Sequence, residues 1–146
     1  MSQPTPYTSN DYIEQSLSVD AACSGNPGVM EYQVVATDTL KPIFQSPVYP
    51  VGTNNIGEFL AIVEALKYLK SINDTSTPVY SDSITALAWV RRGFANTKLP
   101  RNADTELLHT QMDRAEEFLE DNVIENPIIK WETKLWGESK ADYGRK

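Results

Sequence analysis

The sequence predicts an α/β fold in which a mixed sheet of five strands is flanked by helices. Three observations predict this class. Apolar residues alternate with polar ones near the start, a long stretch with helical spacing follows, and the remaining segments alternate between strand and helix patterns. We expect an antiparallel meander of three strands followed by parallel strands, joined by right-handed crossovers.

Composition fits a single globular domain. The chain has 146 residues, of which 40% are hydrophobic and 23% charged, and domains of about 100–150 residues are the most common. The single cysteine, Cys23, excludes an intrachain disulfide framework and fits a reducing compartment. No apolar run approaches the ~18 residues of a membrane span, and the first residues lack the features of a signal peptide. We therefore expect a cytoplasmic protein with no membrane partner.

The first half of the chain predicts three strands and one long helix. Residues 1–14 are polar and predict a flexible tail. Three prolines in the third strand confine it to a sheet edge or its ends. The apolar residues of the helix recur at a spacing that forms one face. The strands are expected at 15–21, 29–37 and 41–51, with a turn at Ser24–Gly28, and the helix at 55–70.

Shorter elements fill the second half. Turn-forming residues separate them, and the helix patterns again place apolar residues on one face. In order, we expect a strand at 78–81, a helix at 83–91, a loop at 93–101, a helix at 103–121, a strand at 127–131 and a short terminal helix over the last ten residues.

Charge is distributed unevenly along the chain. The formal net charge is −7, which taken alone argues against a polyanionic partner. Residues 83–103, however, carry four basic and no acidic side chains, whereas 104–126 carry one basic and eight acidic ones. A nucleic-acid footprint is local, so an acidic chain with a basic segment remains compatible with nucleic-acid binding. The alternative for the basic segment is an ordinary solvated surface.

Four carboxylates lie where predicted strands end or predicted helices occur. They are Asp20, Glu58, Asp82 and Asp142, the last of which follows Glu138 by four residues. Ligands of α/β sheets usually bind at strand ends beside helix starts. Carboxylates that converge there would repel one another without a compensating cation, and oxygen ligands suit Mg²⁺ or Mn²⁺.

Three of these carboxylates also have purely structural explanations. Asn55 and Glu58 have the spacing of a capping box. Asp82 could cap a helix that begins at Ser83, and Asp20 could form the turn before Gly25. Like charges at the spacing of Glu138 and Asp142 destabilise a helix, so that pair is harder to explain structurally.

Together these segments resemble the type 1 ribonuclease H family. The matching pieces occur in the family's order and cover about residues 15–146, which would form one catalytic domain with a ribonuclease H-like fold. They are Asp20-Ala-Ala-Cys-Ser-Gly-Asn-Pro-Gly28, Gly52-Thr-Asn-Asn-Ile-Gly-Glu58, Tyr80-Ser-Asp-Ser83 and Trp136-Gly-Glu-Ser-Lys-Ala-Asp-Tyr-Gly-Arg-Lys146. The chain is most similar to a bacterial subgroup whose members often carry a separate N-terminal hybrid-binding domain, which this chain begins too late to contain.

The resemblance implies an endonuclease that cuts the RNA strand of RNA–DNA hybrids with two Mg²⁺ ions, for which Mn²⁺ can substitute. It implies that Asp20 bridges both ions and that Asp142 holds the ion that activates water. Glu58 and Asp82 would serve the ion on the leaving-group side. The expected products carry 5′-phosphate and 3′-hydroxyl ends.

One feature departs from many family members, which have a loop histidine that assists turnover. The only histidine here is His109, on the acidic helix, where we expect a solvated surface residue. By resemblance to the subgroup, Glu138 takes the corresponding role in metal positioning and product release.

The resemblance also implies contacts to each nucleic-acid strand. Such contacts position a duplex without reading its sequence, and the 2′-hydroxyl distinguishes RNA from DNA. Trp89 would pack against the DNA backbone, or alternatively belong to the core, and Ile84 replaces a glutamine common in relatives. The implied RNA contacts are Ser24, Gly25, Asn26 and Asn54, and the implied DNA phosphate pocket is Thr53, Asn55, Thr97 and Lys98.

Other functions remain open at this point. A catalytically silent hybrid-binding module of the same fold is the main alternative, and the complete carboxylate set argues against it. A related nuclease acting on DNA and an acidic interaction domain are further alternatives. We expect a monomer whose partner is the hybrid duplex, with no obligate protein partner.

Overall fold

The computed structural model describes residues 11–143 as a six-stranded mixed sheet with four helices. The sheet order is β3-β2-β1-β5-β6, and β4 pairs with β2 beside β3. The strands are β1 (Leu17–Gly25), β2 (Gly28–Ala36), β3 (Pro42–Gln45), β4 (Tyr49–Gly52), β5 (Val79–Ser81) and β6 (Ile128–Lys130). The helices are α1 (Asn54–Ser71), α2 (Ile84–Arg92), α3 (Glu106–Asp121) and α4 (Thr133–Trp136).

Strand directions confirm the predicted fold class. β1 and β2 pair antiparallel along their full length, from Leu17 opposite Ala36 to Gly25 opposite Gly28. β3 and β4 also run antiparallel to β2, whereas β5 pairs parallel with both β1 and β6. The meander therefore precedes the parallel strands, as expected from the element order.

The predicted third strand is split into β3 and β4, which makes six strands where we expected five. The segment between them includes Pro47, which has no N–H for a ladder hydrogen bond. Ser46 anchors the break, because its N–H donates to the Tyr32 carbonyl and its hydroxyl accepts from the Tyr32 N–H, both at 2.9 Å. Chain and partner strand thus stay in contact while the regular ladder is interrupted.

Local caps set the helix boundaries. The Thr53 hydroxyl accepts from the Ile56 N–H at 3.3 Å, so α1 begins at Asn54, one residue before the prediction. Ser83 caps α2, which ends where Gly93 adopts a left-handed φ of 92°. α3 begins at Glu106 rather than 103, because the Thr105 hydroxyl donates to the Pro100 carbonyl at 2.6 Å in an irregular preceding loop.

The predicted helix over the last ten residues was wrong where the structure describes it. Among the described residues after β6, the only helical turn is α4, and Gly137 follows it with a φ of +81°. Residues 137–143, which we call the C-terminal turn, contain no helix, and 144–146 lie outside the described residues. The Asp142 N–H donates to the Ser139 carbonyl at 3.0 Å. Glu138 and Asp142 therefore do not lie one turn apart on a helix, and the expected destabilisation of a helix by their like charges does not arise.

The described part of the predicted tail packs against the domain. The Tyr12 ring packs at a tilt against Trp131, with centroids 5.0 Å apart, and edge-on against Trp136 at 5.7 Å. The Ile13 N–H donates to the Tyr80 hydroxyl at 2.9 Å. The packed chain thus begins before residue 15, while residues 1–10 of the predicted tail lie outside the described range.

The two faces of the sheet have different partners. Successive strand residues point to opposite faces, and α1 packs on the face that carries Ala21 and Met30. The other face carries Asp20 and its cross-strand neighbour Gln33, and the C-terminal turn packs there. Within residues 11–143, no helix is both long and apolar enough to cross a membrane.

Candidate metal centre

Three of the four predicted carboxylates meet at one end of the sheet. Oxygen atoms of Asp20, Glu58 and Asp82 all lie within 4.8 Å of one another. Asp20 and Glu58 are each 0% exposed, whereas Asp82 is partly exposed. Carboxylates buried this deeply are rarely tolerated without a compensating partner.

Glu58 occupies the gap where β1 and β5 separate. These two strands pair only at Leu17–Val79 and Ser18–Tyr80. Just beyond, Oε2 of Glu58 accepts the Ala21 N–H at 2.9 Å and Oε1 accepts the Ser81 hydroxyl at 2.8 Å. One carboxylate from α1 therefore bridges both strands.

Close packing of α1 makes this bridge possible. A Cβ added at Gly57 would lie 2.7 Å from the Ala21 Cβ and 2.8 Å from the Met30 Sδ. A larger residue at Gly57 would push the helix away from the sheet. Glycine at this position thus lets Glu58 reach the strand ends.

Burial raises the pKa of Glu58 well above its usual 4.5. A hydrogen bond to Asp20 and the charges of Asp20 and Asp82 raise this pKa further, while the Ser81 hydrogen bond lowers it. When Glu58 is protonated, its hydroxyl can donate to Asp20, which reduces the repulsion within the cluster.

The structural explanations for these carboxylates are not supported by their contacts. Thr53 rather than Asn55 caps α1, and Glu58 points to β1 and β5 instead of completing a capping box. The cap of α2 is Ser83, so Asp82 does not serve it. Asp20 lies within β1 and not in the turn that follows.

The donor set fits a divalent metal ion. Three converging carboxylates supply hard oxygen ligands, which Mg²⁺ and Mn²⁺ prefer. A cation held there would offset the repulsion that now raises the pKa of Glu58. Asp20, Glu58 and Asp82 are the residues that would hold it.

Asp142 and Glu138 lie on the C-terminal turn, outside the 4.8 Å group found among the described residues. Asp142 is partly buried and Glu138 is exposed. The turn nevertheless contacts the strands beside Asp20. Gln33 donates its side-chain N–H to the Ala141 carbonyl at 2.6 Å, and the Ser139 hydroxyl donates to the Val19 carbonyl at 3.5 Å.

A groove of about 820 Å³ adjoins the metal centre. All four residues predicted to contact RNA lie in its lining together with Asp82. The Asn54 N–H donates to Oδ1 of Asn26 at 3.3 Å, which ties the start of α1 to the β1–β2 hairpin. The lining residues among the predicted set are Ser24, Gly25, Asn26 and Asn54.

The four residues of the predicted phosphate pocket come from two regions. Thr53 and Asn55 lie at the start of α1, where Asn55 Oδ1 accepts the Ser83 hydroxyl at 3.0 Å. Thr97 and Lys98 lie in the loop after α2, with Lys98 exposed. Thr97 accepts the Leu99 N–H at 3.2 Å and so shapes that loop.

Trp89 is 7% exposed and packs edge-on against Phe59 at 6.1 Å. This burial favours core packing over contact with DNA. Ile84, the first residue of α2, is 70% exposed and so presents an apolar side chain to solvent two residues after Asp82 in the chain.

Two side chains, those of His109 and Arg101, make more structural contacts than the sequence suggested. His109 is partly buried rather than fully solvated, and its Nε2 donates to the Leu99 carbonyl at 3.0 Å. Arg101, from the basic segment, contacts Glu106 at 2.8 Å and Asp113 at 3.2 Å. Those ion pairs offset its charge and leave less of it for a phosphate.

Sequence reasoning missed three residues of the site. Ser81 holds Glu58, Gln33 holds the C-terminal turn, and Glu31 lines the groove. A signal existed for Gln33, because it interrupts the apolar run from Tyr32 to Val35 in a buried strand. Ser81 directly precedes Asp82, but a serine at a strand end has no distinctive pattern.

Solved structures of ribonucleases H share this fold. LC11-RNase H1 in complex with an RNA/DNA hybrid is 21% identical, with a TM-score of 0.52 over 81% of this chain and 85% of that one. The LC11-RNase H1 isolated from compost by a metagenomic approach is 20% identical, with a TM-score of 0.52 over 82% and 86%. At this level of identity the likeness establishes the fold alone.

Sequence comparisons identify the family. A curated ribonuclease H of Rhodopirellula baltica is 41% identical over 69 residues, which are 46% of this chain and 42% of that protein. The match thus spans less than half of that relative's length. The RNase H family model matches residues 14–132. This range covers most of the chain and includes three of the four predicted carboxylates. The chain therefore belongs to the ribonuclease H family.

Proposed function

We propose that this protein is an endoribonuclease that hydrolyses the RNA strand of RNA–DNA hybrids. The observation that carries the proposal is the convergence of Asp20, Glu58 and Asp82 within 4.8 Å, with Asp82 lining the groove. A groove with a hard-oxygen metal site suits a phosphodiester substrate. Family membership supports the same activity.

The metal-binding role is proposed for Asp20, Glu58, Asp82 and Asp142. When bound, a pair of divalent ions would supply charge stabilisation to the phosphate and activate the attacking water. The chain's own contribution is to hold the carboxylates in place beside the groove. Glu58 is fixed by two hydrogen bonds, and Asp20 is fully buried in β1.

Selection for RNA is proposed to depend on the groove. Ser24, Gly25, Asn26 and Asn54 offer backbone and side-chain groups there, and a 2′-hydroxyl both donates and accepts hydrogen bonds. Thr53, Asn55, Thr97 and Lys98 are proposed to bind phosphates of the DNA strand. These contacts favour duplex shape over base sequence.

Glu138 is proposed to assist metal positioning and product release. Its exposure on the C-terminal turn suits a residue that moves with product departure. We further propose that hydrolysis leaves 5′-phosphate and 3′-hydroxyl ends, which treatment of labelled fragments with phosphatase can identify.

The test is cleavage and binding of one RNA–DNA hybrid by wild type and by Asp82→Asn in Mg²⁺. The substitution preserves side-chain shape while removing a charged ligand, so we expect cleavage to fall by ~10³-fold or more with hybrid affinity nearly unchanged. Asp104→Asn is the matched control, because Asp104 is exposed in the loop before α3.

Two results would count against the proposal. Full activity of Asp82→Asn would remove Asp82 from the metal centre. Binding of the hybrid by wild type without cleavage, in either Mg²⁺ or Mn²⁺, would instead identify a silent hybrid-binding module.

A further inference from the structure

Gln33 connects the sheet to the C-terminal turn through a buried contact between residues far apart in sequence. Gln33 lies in the middle of β2 and is only 9% exposed. Nε2 of Gln33 donates to the Ala141 carbonyl at 2.6 Å across a separation of 108 residues. Ala141 itself is 0% exposed, so water does not replace this donor.

The position of Gln33 relates this contact to the metal centre. Gln33 lies directly opposite Asp20 in the β1–β2 ladder. The residue bonded to Gln33, Ala141, immediately precedes Asp142 in the chain. The Ser139 hydroxyl adds a 3.5 Å bond to the carbonyl of Val19, the residue before Asp20. The turn is therefore held by the residue before Asp20 and by the cross-strand partner of Asp20.

Gln33 is itself oriented by a neighbouring strand. Nε2 of Gln45, in β3, donates to Oε1 of Gln33 at 3.2 Å. This contact distinguishes the two ends of the Gln33 amide, because its oxygen accepts from Gln45 and its nitrogen is left to donate to Ala141. The amide therefore presents a donor, and not an acceptor, to the turn.

The turn around Asp142 has no regular secondary structure. Residues 137–143 form no helix or strand. Within the turn, the Asp142 N–H donates to the Ser139 carbonyl at 3.0 Å and the Ala141 N–H donates to the Ser139 hydroxyl at 3.2 Å. These local bonds set the shape of the turn, and contacts with neighbouring residues set its place beside the sheet. The Trp131 indole N–H donates to the Gly137 carbonyl at 2.9 Å where the turn begins, and Gln33 holds the turn next to Asp142.

We propose that Gln33 is a positioning residue that, by holding the Ala141 carbonyl, places Asp142 to join Asp20, Glu58 and Asp82 in metal binding. The proposal rests on the proposed function for the role of Asp142. Gln33 does not bind the metal or the substrate in this arrangement. It acts as an outer partner whose loss weakens the metal site through a displaced ligand.

The test compares Gln33→Met with Gln45→Met. The first removes the donor to Ala141, whereas the second removes a contact to the same glutamine and leaves that donor in place. Amide hydrogen exchange of residues 139–143 is measured in metal-free protein, and Mn²⁺ affinity is measured by calorimetry on the protein alone. We expect faster exchange and ~10-fold weaker Mn²⁺ binding for Gln33→Met, and smaller changes for Gln45→Met.

A double-mutant cycle separates positioning from general structural support. If Gln33 acts through Asp142, Gln33→Met should weaken Mn²⁺ binding much less in an Asp142→Asn background than in wild type. An equal loss in both backgrounds would overturn the proposal. Unchanged exchange, or faster exchange with unchanged Mn²⁺ affinity, would overturn it as well.

A substitute variant and a parallel cleavage assay complete the test. If Gln33→Met does not fold, Gln33→Asn serves in its place, because it keeps the amide but is too short by one methylene to reach Ala141. Hybrid cleavage by wild type is measured in parallel. Absence of cleavage would contradict the proposed function, while exchange and Mn²⁺ affinity would still decide the role of Gln33.

Discussion

The Ser81 hydroxyl donates to Oε1 of Glu58 at 2.8 Å, so the last residue of β5 holds the carboxylate that α1 brings to the metal centre. The same serine oxygen accepts the Ser83 N–H at 3.1 Å, next to the start of α2. Ser81 thus links three elements around Asp82. Its contact with Glu58 is also the one that lowers the pKa of Glu58 against several that raise it.

Replacing Ser81 with alanine should therefore raise the pKa of Glu58 further. Metal binding requires the deprotonated carboxylate, so Ser81→Ala should need a higher pH for half-maximal Mn²⁺ binding, measured by calorimetry across a pH series. We also expect a loss of about 1–2 kcal/mol in unfolding free energy. Ser71→Ala is the control, because that hydroxyl bonds only the exposed end of α1 through the Tyr68 carbonyl. An unchanged pH midpoint in Ser81→Ala would contradict this role.

Glu58→Gln should stabilise the metal-free protein at neutral and higher pH. The folded-state pKa of Glu58 is raised above 4.5, its usual value in an unfolded chain. Between pH 4.5 and the folded-state pKa, Glu58 therefore binds more protons in the folded protein than in the unfolded chain. The contribution of this group to the free energy of unfolding is fully present below about pH 4.5 and is lost as pH rises through the folded-state pKa. Glutamine resembles the protonated acid and does not titrate.

The measurement is Tm in a chelator at several pH values from 4 upward. The difference between Glu58→Gln and wild type should grow in favour of the variant as pH rises, and added Mg²⁺ should stabilise wild type more. A difference that is independent of pH would show that Glu58 is not the group whose protonation limits stability.

Gly57→Ala should displace α1 from the sheet. The added Cβ would lie 2.7 Å from that of Ala21, closer than such atoms approach, and Ala21 also donates its N–H to Glu58. We expect a loss of about 1–3 kcal/mol in urea unfolding, together with weaker Mn²⁺ binding. Lys70→Ala, exposed on the same helix, should change stability by less than about 0.5 kcal/mol. Wild-type stability and metal affinity in Gly57→Ala would contradict the close-packing argument.

Lys98 and Arg101 should differ in their effect on hybrid binding. Arg101 already contacts Glu106 and Asp113, whereas Lys98 is exposed in the loop after α2. Lys98→Ala should reduce the slope of log affinity against log salt by about one, and Arg101→Ala by less. The measurement is hybrid binding by Asp82→Asn between low and moderate salt. Equal slopes for the Lys98 variant and its parent would remove Lys98 from the phosphate contacts.

Motif order predicted that Asp20, Glu58 and Asp82 would lie close together, because hydrophobic periodicity locates β1, α1 and β5, which carry or directly precede them. Their three-dimensional meeting is set by the short pairing of β1 with β5. Long-range contacts were not predictable in the same way. Nothing in the local pattern indicates that Gln33 would bond Ala141, since that bond depends on how the sheet and the C-terminal turn are folded together.

The errors at element boundaries have local causes. Two residues divide the predicted third strand: Pro47, which has no N–H, and Ser46, which makes two hydrogen bonds to the Tyr32 backbone. Gly137 adopts a positive φ after α4, and the chain that follows turns instead of forming a helix. Periodicity over ten residues cannot detect either interruption, because apolar spacing can persist through a turn.

The most direct measurement compares four end-labelled substrates of matched sequence in Mg²⁺, with a chelator control. They are an RNA–DNA hybrid, an RNA duplex, a DNA duplex and single-stranded RNA. The carboxylate cluster and the adjoining groove predict internal, metal-dependent cuts confined to the RNA strand of the hybrid. Cleavage that persists in the chelator, or equal cutting of the RNA duplex or the DNA duplex, would contradict the account.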